Sequence, residues 1–204
     1  MSEPRQTVFV VDDDEAVRES LAMLLRSVGI EFETYPDAAQ FLASYDPQRS
    51  GCLVLDIRMP AISGLDLQSR LQAMEALLPI IFITGHGDIP MAVRAIQNGA
   101  VDFIQKPFHD QALLDRIQQA LRLDADRRRE IAQRAAIDRR LTRLSPRERE
   151  VLDLVVSGQP NKVIASKLGL SQRTVEIHRA KVMQKMEASS LAQLVEMVVR
   201  SRAS

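Results

Sequence analysis

The stretch from Cys52 to Pro60, CLVLDIRMP, limits the possible folds of this 204-residue chain more than any other. Four consecutive apolar residues lead to Asp56, and Pro60, which cannot donate a hydrogen bond to a strand ladder, follows soon after. This pattern is typical of a buried parallel strand that stops at a loop. Because open α/β sheets carry their sites at strand ends, Asp56 is a candidate site residue. Taken alone, an acid in this position is also typical of a helix N-cap or a turn.

Four further segments have the apolar character of strands. They lie at residues 7–11, 33–35, 79–84 and 101–105, and helical patterns separate the strands from one another. Five units of a strand followed by a helix predict an α/β domain with a doubly wound parallel sheet of five strands. In such a sheet the ends of the first, third, fourth and fifth strands can converge at one edge.

The residues at those strand ends form a chemically ordered set. Asp12 and Asp13 follow the first strand, Asp56 ends the third, Thr84 ends the fourth and Lys106 follows the fifth. Three neighbouring carboxylates repel one another unless a cation or a proton is present, and oxygen ligands suit Mg²⁺. A hydroxyl and an ammonium would complete a pocket for a phosphoryl group. Each residue alone has an ordinary explanation, such as a helix cap or a surface charge, but the ordered set does not.

The net charge of zero conceals two unlike parts of the chain. Up to Arg122 there are 10 basic and 17 acidic residues, and the remainder has 17 basic and 10 acidic residues. The single cysteine, Cys52, lies in an apolar run, which rules out an intramolecular disulfide and favours a reducing compartment. The first residues are polar, and no apolar run approaches the roughly 20 residues that a membrane span needs. We therefore expect a soluble, cytoplasmic protein that does not contact a membrane.

A long helical pattern follows the fifth strand. No glycine or proline occurs between residues 110 and 145, whereas a flexible linker would contain such residues. We predict a last helix of the first domain that runs into a helical connector, whose arginines form a solvated face rather than an arm that binds nucleic acid. The expected boundaries are residues 1–122 for the first domain, 123–141 for the connector and 142–204 for a second domain.

The second domain carries the signals of four short helices. Ser145-Pro146-Arg147-Glu148 is a capping box with proline at the first helical position. The next two helices are expected at residues 161–168 and 172–186, with Gly169 in the turn between them, and a fourth at 190–199. Two short helices joined through a glycine-containing turn are the helix-turn-helix arrangement of DNA-binding proteins.

The third helix of this domain divides into two faces at about 100° per residue. The side expected to pack in the core carries Thr174, Val175, His178, Val182 and Met186. The side expected to face a DNA major groove carries Arg173, Glu176, Ile177, Ala180 and Gln184. Positions suited to DNA phosphates are Lys162, Arg179, Lys181 and Lys185. Thr174 is also counted among the candidate DNA contacts, and a basic amphipathic helix that merely lies at the surface remains the alternative for the whole set.

Two parts of the chain resemble known families. The motifs VVDDD, LDIRMP, ITGHGD and DFIQKPF, within residues 7–121, resemble the receiver domains of two-component response regulators, whose fold is flavodoxin-like. The segments LSPREREVL and NKVIASKLGLSQRTVEIHRAKVMQKM resemble the LuxR-type, four-helix DNA-binding domains of the NarL/FixJ regulators, and the whole chain is most similar to the FixJ branch. Some members carry lysines where this chain has Glu176 and Ala180, so their base contacts cannot be transferred. Glu176 could instead accept from a cytosine amino group.

The receiver resemblance implies roles at the acidic edge. Asp56 would be the phosphoacceptor, with Mg²⁺ bound by Asp13, Asp56 and the backbone carbonyl of Arg58. Asp12 would act mostly through water, and Asp14 would cap the first helix.

The same resemblance implies that Thr84 and Lys106 contact the phosphoryl oxygens and that the Lys106–Pro107 peptide is cis. Phe103 would be the aromatic residue that turns inward when Thr84 moves, with plain core packing as the alternative. The histidines near this edge, His86 and His109, are expected in solvated loops rather than in a metal site.

Together the resemblances imply a phosphorylation-dependent transcriptional regulator and not an enzyme. The expected partners are a sensor histidine kinase, double-stranded promoter DNA and a second copy of the phosphorylated chain, with RNA polymerase a further candidate. The dimer surface would include Arg94, Gln97, Asp102 and Gln105, with Arg94 and Asp102 complementary in charge.

Two other functions fit parts of the pattern. One is a phosphohydrolase that passes through an aspartyl-phosphate, although enzymes of the haloacid dehalogenase type place a DxD nucleophile after the first strand. The other is a DNA-binding regulator whose receiver works without phosphorylation.

Overall fold

The computed structural model describes residues 5–85 and 89–202. They form two compact units, one that ends at Arg128 and one that begins at Arg129. In the first unit the strands are β1 (Thr7–Val11), β2 (Phe32–Tyr35), β3 (Gly51–Asp56), β4 (Ile80–Thr84) and β5 (Asp102–Gln105). The helices that alternate with them are α1 (Glu15–Ser27), α2 (Ala38–Ser44), α3 (Gly64–Ala73), α4 (Ile89–Gln97) and α5 (Asp110–Thr142).

The five strands form one parallel sheet in the order β2-β1-β3-β4-β5. Every residue of β3 and β4 is buried, as expected for parallel strands that helices cover on both faces. Alternate side chains enter two different cores: Leu53 and Leu55 pack on one face of the sheet, and Cys52 and Val54 pack on the other. The predicted doubly wound, flavodoxin-like sheet is therefore confirmed.

Small differences from the predicted strand and helix ends have local causes. Strand β2 begins at Phe32, one residue earlier than predicted, because Phe32 pairs with Val8 of β1. The last helix begins after Ser190, whose hydroxyl accepts a hydrogen bond from the Gln193 backbone nitrogen at 3.1 Å and so occupies the capping position.

The second unit packs α6 (Pro146–Val156), α7 (Asn161–Leu168), α8 (Gln172–Met186) and α9 (Leu191–Arg202) around its own apolar core. The predicted capping box is present, since the Ser145 hydroxyl and the Glu148 carboxylate each accept from the other residue's backbone nitrogen. Gly169 ends α7 in the left-handed region, with a φ of 65° that favours glycine. The helix-turn-helix arrangement expected from the sequence is formed by α7 and α8.

Helix α5 continues without interruption from Asp110 to Thr142 and so spans the residues predicted to form the connector. Its later residue Ile137 is buried in the core of the second unit. In the part of the chain that the structure describes, no helix combines the length and apolar character that a membrane crossing requires.

Candidate functional site

The carboxyl ends of four strands bring the predicted acidic and polar residues together. Asp12 follows β1, Asp56 ends β3, Thr84 ends β4 and Lys106 follows β5. The Lys106 ammonium donates to Asp12 Oδ2 at 2.8 Å and to Asp56 Oδ1 at 2.9 Å. One cation therefore joins the ends of three strands whose residues are up to 94 positions apart in the sequence.

The two carboxylates of this cluster are shielded from solvent, with Asp12 1% exposed and Asp56 8% exposed. Burial raises the pKa of Asp56, and the hydrogen bond from Lys106 opposes this effect without reversing it. Burial alone would lower the pKa of Lys106, but its contacts with Asp12 and Asp56 raise that pKa overall. Two carboxylates that share one ammonium leave a negative site, which attracts a further cation.

The loop after β1 is held by several hydrogen bonds. The Asp14 carboxylate caps α1 by accepting from the backbone nitrogens of Ala16 and Val17, as predicted. Asp12 Oδ1 accepts from the Asp14 nitrogen at 2.9 Å. Sequence reasoning missed Arg18, whose guanidinium donates to the carbonyls of Asp12 at 2.8 Å and Asp13 at 3.0 Å. An arginine one turn into the helix that follows an acidic loop was the available signal.

The loop after β3 presents the second oxygen of Asp56. Asp56 Oδ2 accepts from the Arg58 backbone nitrogen at 2.7 Å, so both carboxylate oxygens have a donor. Helix α3 begins very close to this loop, because a Cβ atom on Gly64 would lie 2.2 Å from the Asp56 carbonyl oxygen. Only glycine permits that approach, and the helix start therefore braces the strand end that carries Asp56.

The oxygen-rich donor set suits Mg²⁺ in its chemistry. Asp12, Asp13 and Asp56 supply carboxylates, and the Arg58 carbonyl is the fourth expected donor. The side chain of Asp13 is exposed, unlike those of Asp12 and Asp56. Within residues 5–85 and 89–202, no group of three or more histidine, cysteine, aspartate or glutamate side chains is placed to hold a metal ion. Lys106 supplies the cation that Asp12 and Asp56 share.

Strand β5 carries Phe103, the aromatic residue expected to turn inward when Thr84 moves, and the loop after it carries the Lys106–Pro107 peptide. Phe103 is half-buried and packs against the core beneath the sheet. The peptide bond between Lys106 and Pro107 is cis, as predicted. His109 is exposed, whereas His86 lies outside the described residues.

The surface expected to pair two copies is formed by α4 and β5. Arg94, Gln97 and Gln105 are exposed, as a contact surface requires. Asp102 is partly buried, and its carboxylate is paired with Arg116 Nε at 2.9 Å. A pairing of Asp102 with Arg94 of a second copy would therefore compete with an ion pair inside the chain.

The two predicted faces of α8 agree with the burial of its side chains. Val175, Val182 and Met186 are buried, and Thr174 and His178 are partly buried. The exposed residues on the other side are Arg173, Glu176, Ile177, Ala180, Lys181 and Gln184, and Lys162 on α7 is also exposed. Ile177 is 49% exposed although it is strongly apolar. An exposed face that combines charged, amide and apolar groups can contact both phosphates and base edges.

Two predicted phosphate-binding residues, Arg179 and Lys185, have hydrogen-bond partners inside the protein. Arg179 donates to Asn161 Oδ1 at 2.7 Å and so joins α8 to the start of α7. Lys185 donates to Glu148 Oε2 at 2.6 Å and to the Arg143 carbonyl at 3.2 Å. Because Glu148 is buried, its carboxylate needs a donor, and Lys185 supplies one from the other side of the α6–α8 contact. The angular division of α8 missed these ties, since it considers one helix at a time.

Both units match known families. Residues 8–118 match the response regulator receiver domain, and residues 142–198 match the bacterial regulatory proteins of the luxR family. Nodulation protein W of Bradyrhizobium diazoefficiens is 50% identical over 192 residues, which cover 93% of this chain and 84% of that protein. Transcriptional regulatory protein FixJ of Azorhizobium caulinodans is 48% identical, with coverage of 94% of this chain and 91% of that protein.

Solved structures show the same relationship over both units. The response regulator StyR has a TM-score of 0.88 and 49% identity, with coverage of 96% of this chain and 99% of StyR. Full-length FixJ from B. japonicum has a TM-score of 0.62 and 41% identity, with coverage of 97% and 98%.

Proposed function

Because this chain belongs to the NarL/FixJ family of response regulators, which control transcription in a phosphorylation-dependent way, we propose that Asp56 is the residue that receives the phosphoryl group. The observation that carries this proposal is the ammonium of Lys106, shared between the buried carboxylates of Asp12 and Asp56. Of the two residues, only Asp56 ends a strand that is buried throughout, whereas Asp12 follows the end of β1.

The transfer itself requires an oriented carboxylate and neutralisation of charge. An Asp56 oxygen attacks the phosphorus of a phosphohistidine on the partner kinase, the phosphorus–nitrogen bond breaks, and the imidazole recovers its electron pair. Lys106 then exchanges its contact with Asp56 for one with a phosphoryl oxygen, and the Thr84 hydroxyl donates to another. Arg58 and Gly64 keep the strand end in place during the exchange, since they act through the backbone.

The donor chemistry of the same residues, all oxygen ligands, fits Mg²⁺. Asp13, Asp56 and the Arg58 carbonyl would bind the ion directly, and Asp12 would act mostly through water. When bound, Mg²⁺ supplies charge neutralisation for the phosphoryl oxygens. Arg18 supports this arrangement because it holds the backbone carbonyls of Asp12 and Asp13, on either side of the Asp13 side chain.

The output is sequence-specific binding of promoter DNA. The exposed face of α8 supplies the base contacts through Arg173, Glu176, Ile177, Ala180 and Gln184, and Lys162 and Lys181 bind phosphates. Phosphorylation moves Thr84 and Phe103, which reshapes the α4–β5 surface and promotes pairing of two copies. Two DNA-binding units held together read two half-sites, and RNA polymerase is the further partner that a promoter-bound regulator would meet.

This function predicts that the phosphoryl group is found on Asp56 and depends on Mg²⁺. Mass spectrometry after incubation with acetyl phosphate and Mg²⁺ should locate the modification in the peptide that contains Asp56, and Asp56→Asn should abolish it. Asp37→Asn is a matched control, because Asp37 caps α2 and asparagine caps helices equally well. Modification of Asp56→Asn to the wild-type level would contradict the assignment. Continuous turnover of phosphomonoesters would instead favour the phosphohydrolase.

A further inference from the structure

A second buried carboxylate lies far along the sequence from the acidic edge. Asp124, on α5, is fully buried with 0% exposure. Its Oδ2 accepts from the Ser50 hydroxyl at 2.5 Å and from the Gly51 backbone nitrogen at 2.9 Å, at the start of β3. Arg128 Nε donates to both Asp124 oxygens, at 2.9 and 3.0 Å. The carboxylate is therefore fully satisfied, but only at this one position of the helix.

Arg128 extends this network to the loop before β3. Its Nη1 donates to the carbonyls of Pro47 at 3.1 Å and Gln48 at 3.3 Å, and its Nη2 donates to the Arg49 carbonyl at 2.6 Å. The planar guanidinium thus bonds to three consecutive backbone carbonyls and one carboxylate. Lysine could not reproduce this pattern, because its ammonium lacks the fixed fork of donors.

Gly51 lies between the Asp124 network and β1. A Cβ atom at Gly51 would lie 1.9 Å from the Thr7 carbonyl oxygen, so only glycine permits this close approach of β3 to β1, and the Gly51 nitrogen donates to Asp124. Strand β3 thus begins at the Asp124 network and ends at Asp56. A second hydrogen bond, from Gln6 Nε2 to the Leu121 carbonyl at 2.7 Å, fastens the preceding turn of α5.

A buried ion pair contributes little net stability, because the desolvation of its two charges offsets most of their attraction. The pair instead fixes the position of α5, because Asp124 and Arg128 can make all their hydrogen bonds at only one rotation of the helix and one position along its axis. The helix continues past Arg128 without glycine or proline. No break in the helix separates the network from the connector residues that follow.

We propose that Asp124 and Arg128 are positioning residues for the regulatory output. They make α5 up to Arg128 a fixed part of the receiver, so the connector begins after Arg128 and not at residue 123. A change produced at Asp56 then passes into the connector through a helix that cannot pivot at residue 122. This inference rests on the proposed function, because it assumes that phosphorylation of the receiver controls DNA binding.

The test uses the full chain with Arg128→Ala and Arg128→Lys, and with Arg127→Ala as the matched control, because Arg127 is the exposed neighbouring arginine. Three quantities are measured: phosphoryl incorporation from acetyl phosphate, amide hydrogen exchange of residues 120–128, and affinity for DNA selected with the phosphorylated wild type. Both Arg128 variants should incorporate phosphate as the wild type does. In Arg128→Ala, the backbone amides of residues 120–128 should exchange on the order of 100-fold faster than in the wild type, because the buried carboxylate of Asp124 loses its partner.

The decisive readout is the ratio of DNA affinities with and without beryllofluoride and Mg²⁺. Coupling between two sites typically changes affinity by about 5- to 150-fold, and the Arg128 variants should lose most of the wild-type ratio while Arg127→Ala keeps it. If the ratio is unchanged in Arg128→Lys and Arg128→Ala, the positioning role is wrong, whatever happens to exchange or stability. If the wild type binds DNA equally well with and without beryllofluoride and Mg²⁺ although Asp56 is modified, the proposed function is wrong, and the inference that rests on it is wrong as well.

Discussion

The hydrogen bond between Lys185 and Glu148 provides a sharp test of how α8 is held. The donor and acceptor are 2.6 Å apart, the Glu148 side chain is 5% exposed and the Lys185 side chain is 36% exposed. Removing one partner of a fully buried pair costs about 3 to 5 kcal/mol, and exposed pairs contribute at most about 1 kcal/mol. Because the lysine is partly solvated, Lys185→Met should reduce the free energy of unfolding of the second unit by about 2 to 3 kcal/mol.

The reason for this loss is the buried acceptor and not the missing cation. Glu148→Gln/Lys185→Met should therefore be less destabilised than the sum of the single variants, with a coupling energy of about 1 to 2 kcal/mol. Lys185 lowers the pKa of Glu148 from its ordinary value of 4.5. A lowered pKa stabilises the fold above the unfolded value, so the difference between wild type and Lys185→Met should shrink as the pH falls below 4.5.

Urea unfolding can follow the second unit by itself. The chain has no tryptophan, and both tyrosines, Tyr35 and Tyr45, lie in the first unit. Tyrosine fluorescence therefore reports the receiver alone, and circular dichroism at 222 nm reports both units. Lys185→Met should lower the urea midpoint of the second unit, which circular dichroism detects, and leave the midpoint measured by tyrosine fluorescence unchanged.

DNA binding separates the structural role of Lys185 from the phosphate contact expected from sequence. Each lost phosphate contact lowers the slope of log affinity against log salt by about 0.9 for duplex DNA. Lys181→Met should show this change, and Lys185→Met, measured where it is fully folded, should not. Unchanged stability together with a lower slope in Lys185→Met would refute the reasoning.

Three further predictions concern the metal, the DNA sequence and the dimer. Asp13→Ala should abolish Mg²⁺-dependent phosphorylation but keep the fold, because removing an exposed carboxylate relieves repulsion; normal phosphoryl incorporation would contradict it. Glu176→Ala should change the DNA sequences selected from a random pool, whereas Lys181→Ala should weaken binding to all sequences; reversed behaviour would mean that the faces of α8 are misassigned. Sedimentation with beryllofluoride and Mg²⁺ should show a dimer that Arg94→Glu weakens, because like charges would then face Asp102; a monomeric wild type at tens of micromolar would exclude receiver pairing.

The parts of the structure that sequence predicted depend on local patterns or on strand ends. Asp56 and Lys106 were found because parallel strands bring their carboxyl ends to one edge. Asp14 and Ser145 were identified as caps because capping depends on residues only a few positions apart.

The parts that sequence missed depend on contacts across the fold. Arg128 bonds to carbonyls about 80 residues earlier, and carbonyl positions have no sequence signature. The contact of Lys185 is not visible in the sequence for the same reason: its spacing on α8 suits a phosphate, but the buried Glu148 that it bonds to lies on another helix. Charged side chains on helix faces can bind either an external ligand or a buried partner, and only the packed structure distinguishes the two.

The measurement that tests the account most directly is the affinity of the full chain for selected DNA, with and without beryllofluoride and Mg²⁺, in wild type and Asp56→Asn. The wild type should bind about 5- to 150-fold more tightly with the phosphoryl mimic, as expected for coupling between distinct sites. Asp56→Asn should show the same affinity in both conditions, because it lacks the carboxylate that binds the mimic. Equal affinities in the wild type, or an increase that survives Asp56→Asn, would contradict control of DNA binding through Asp56.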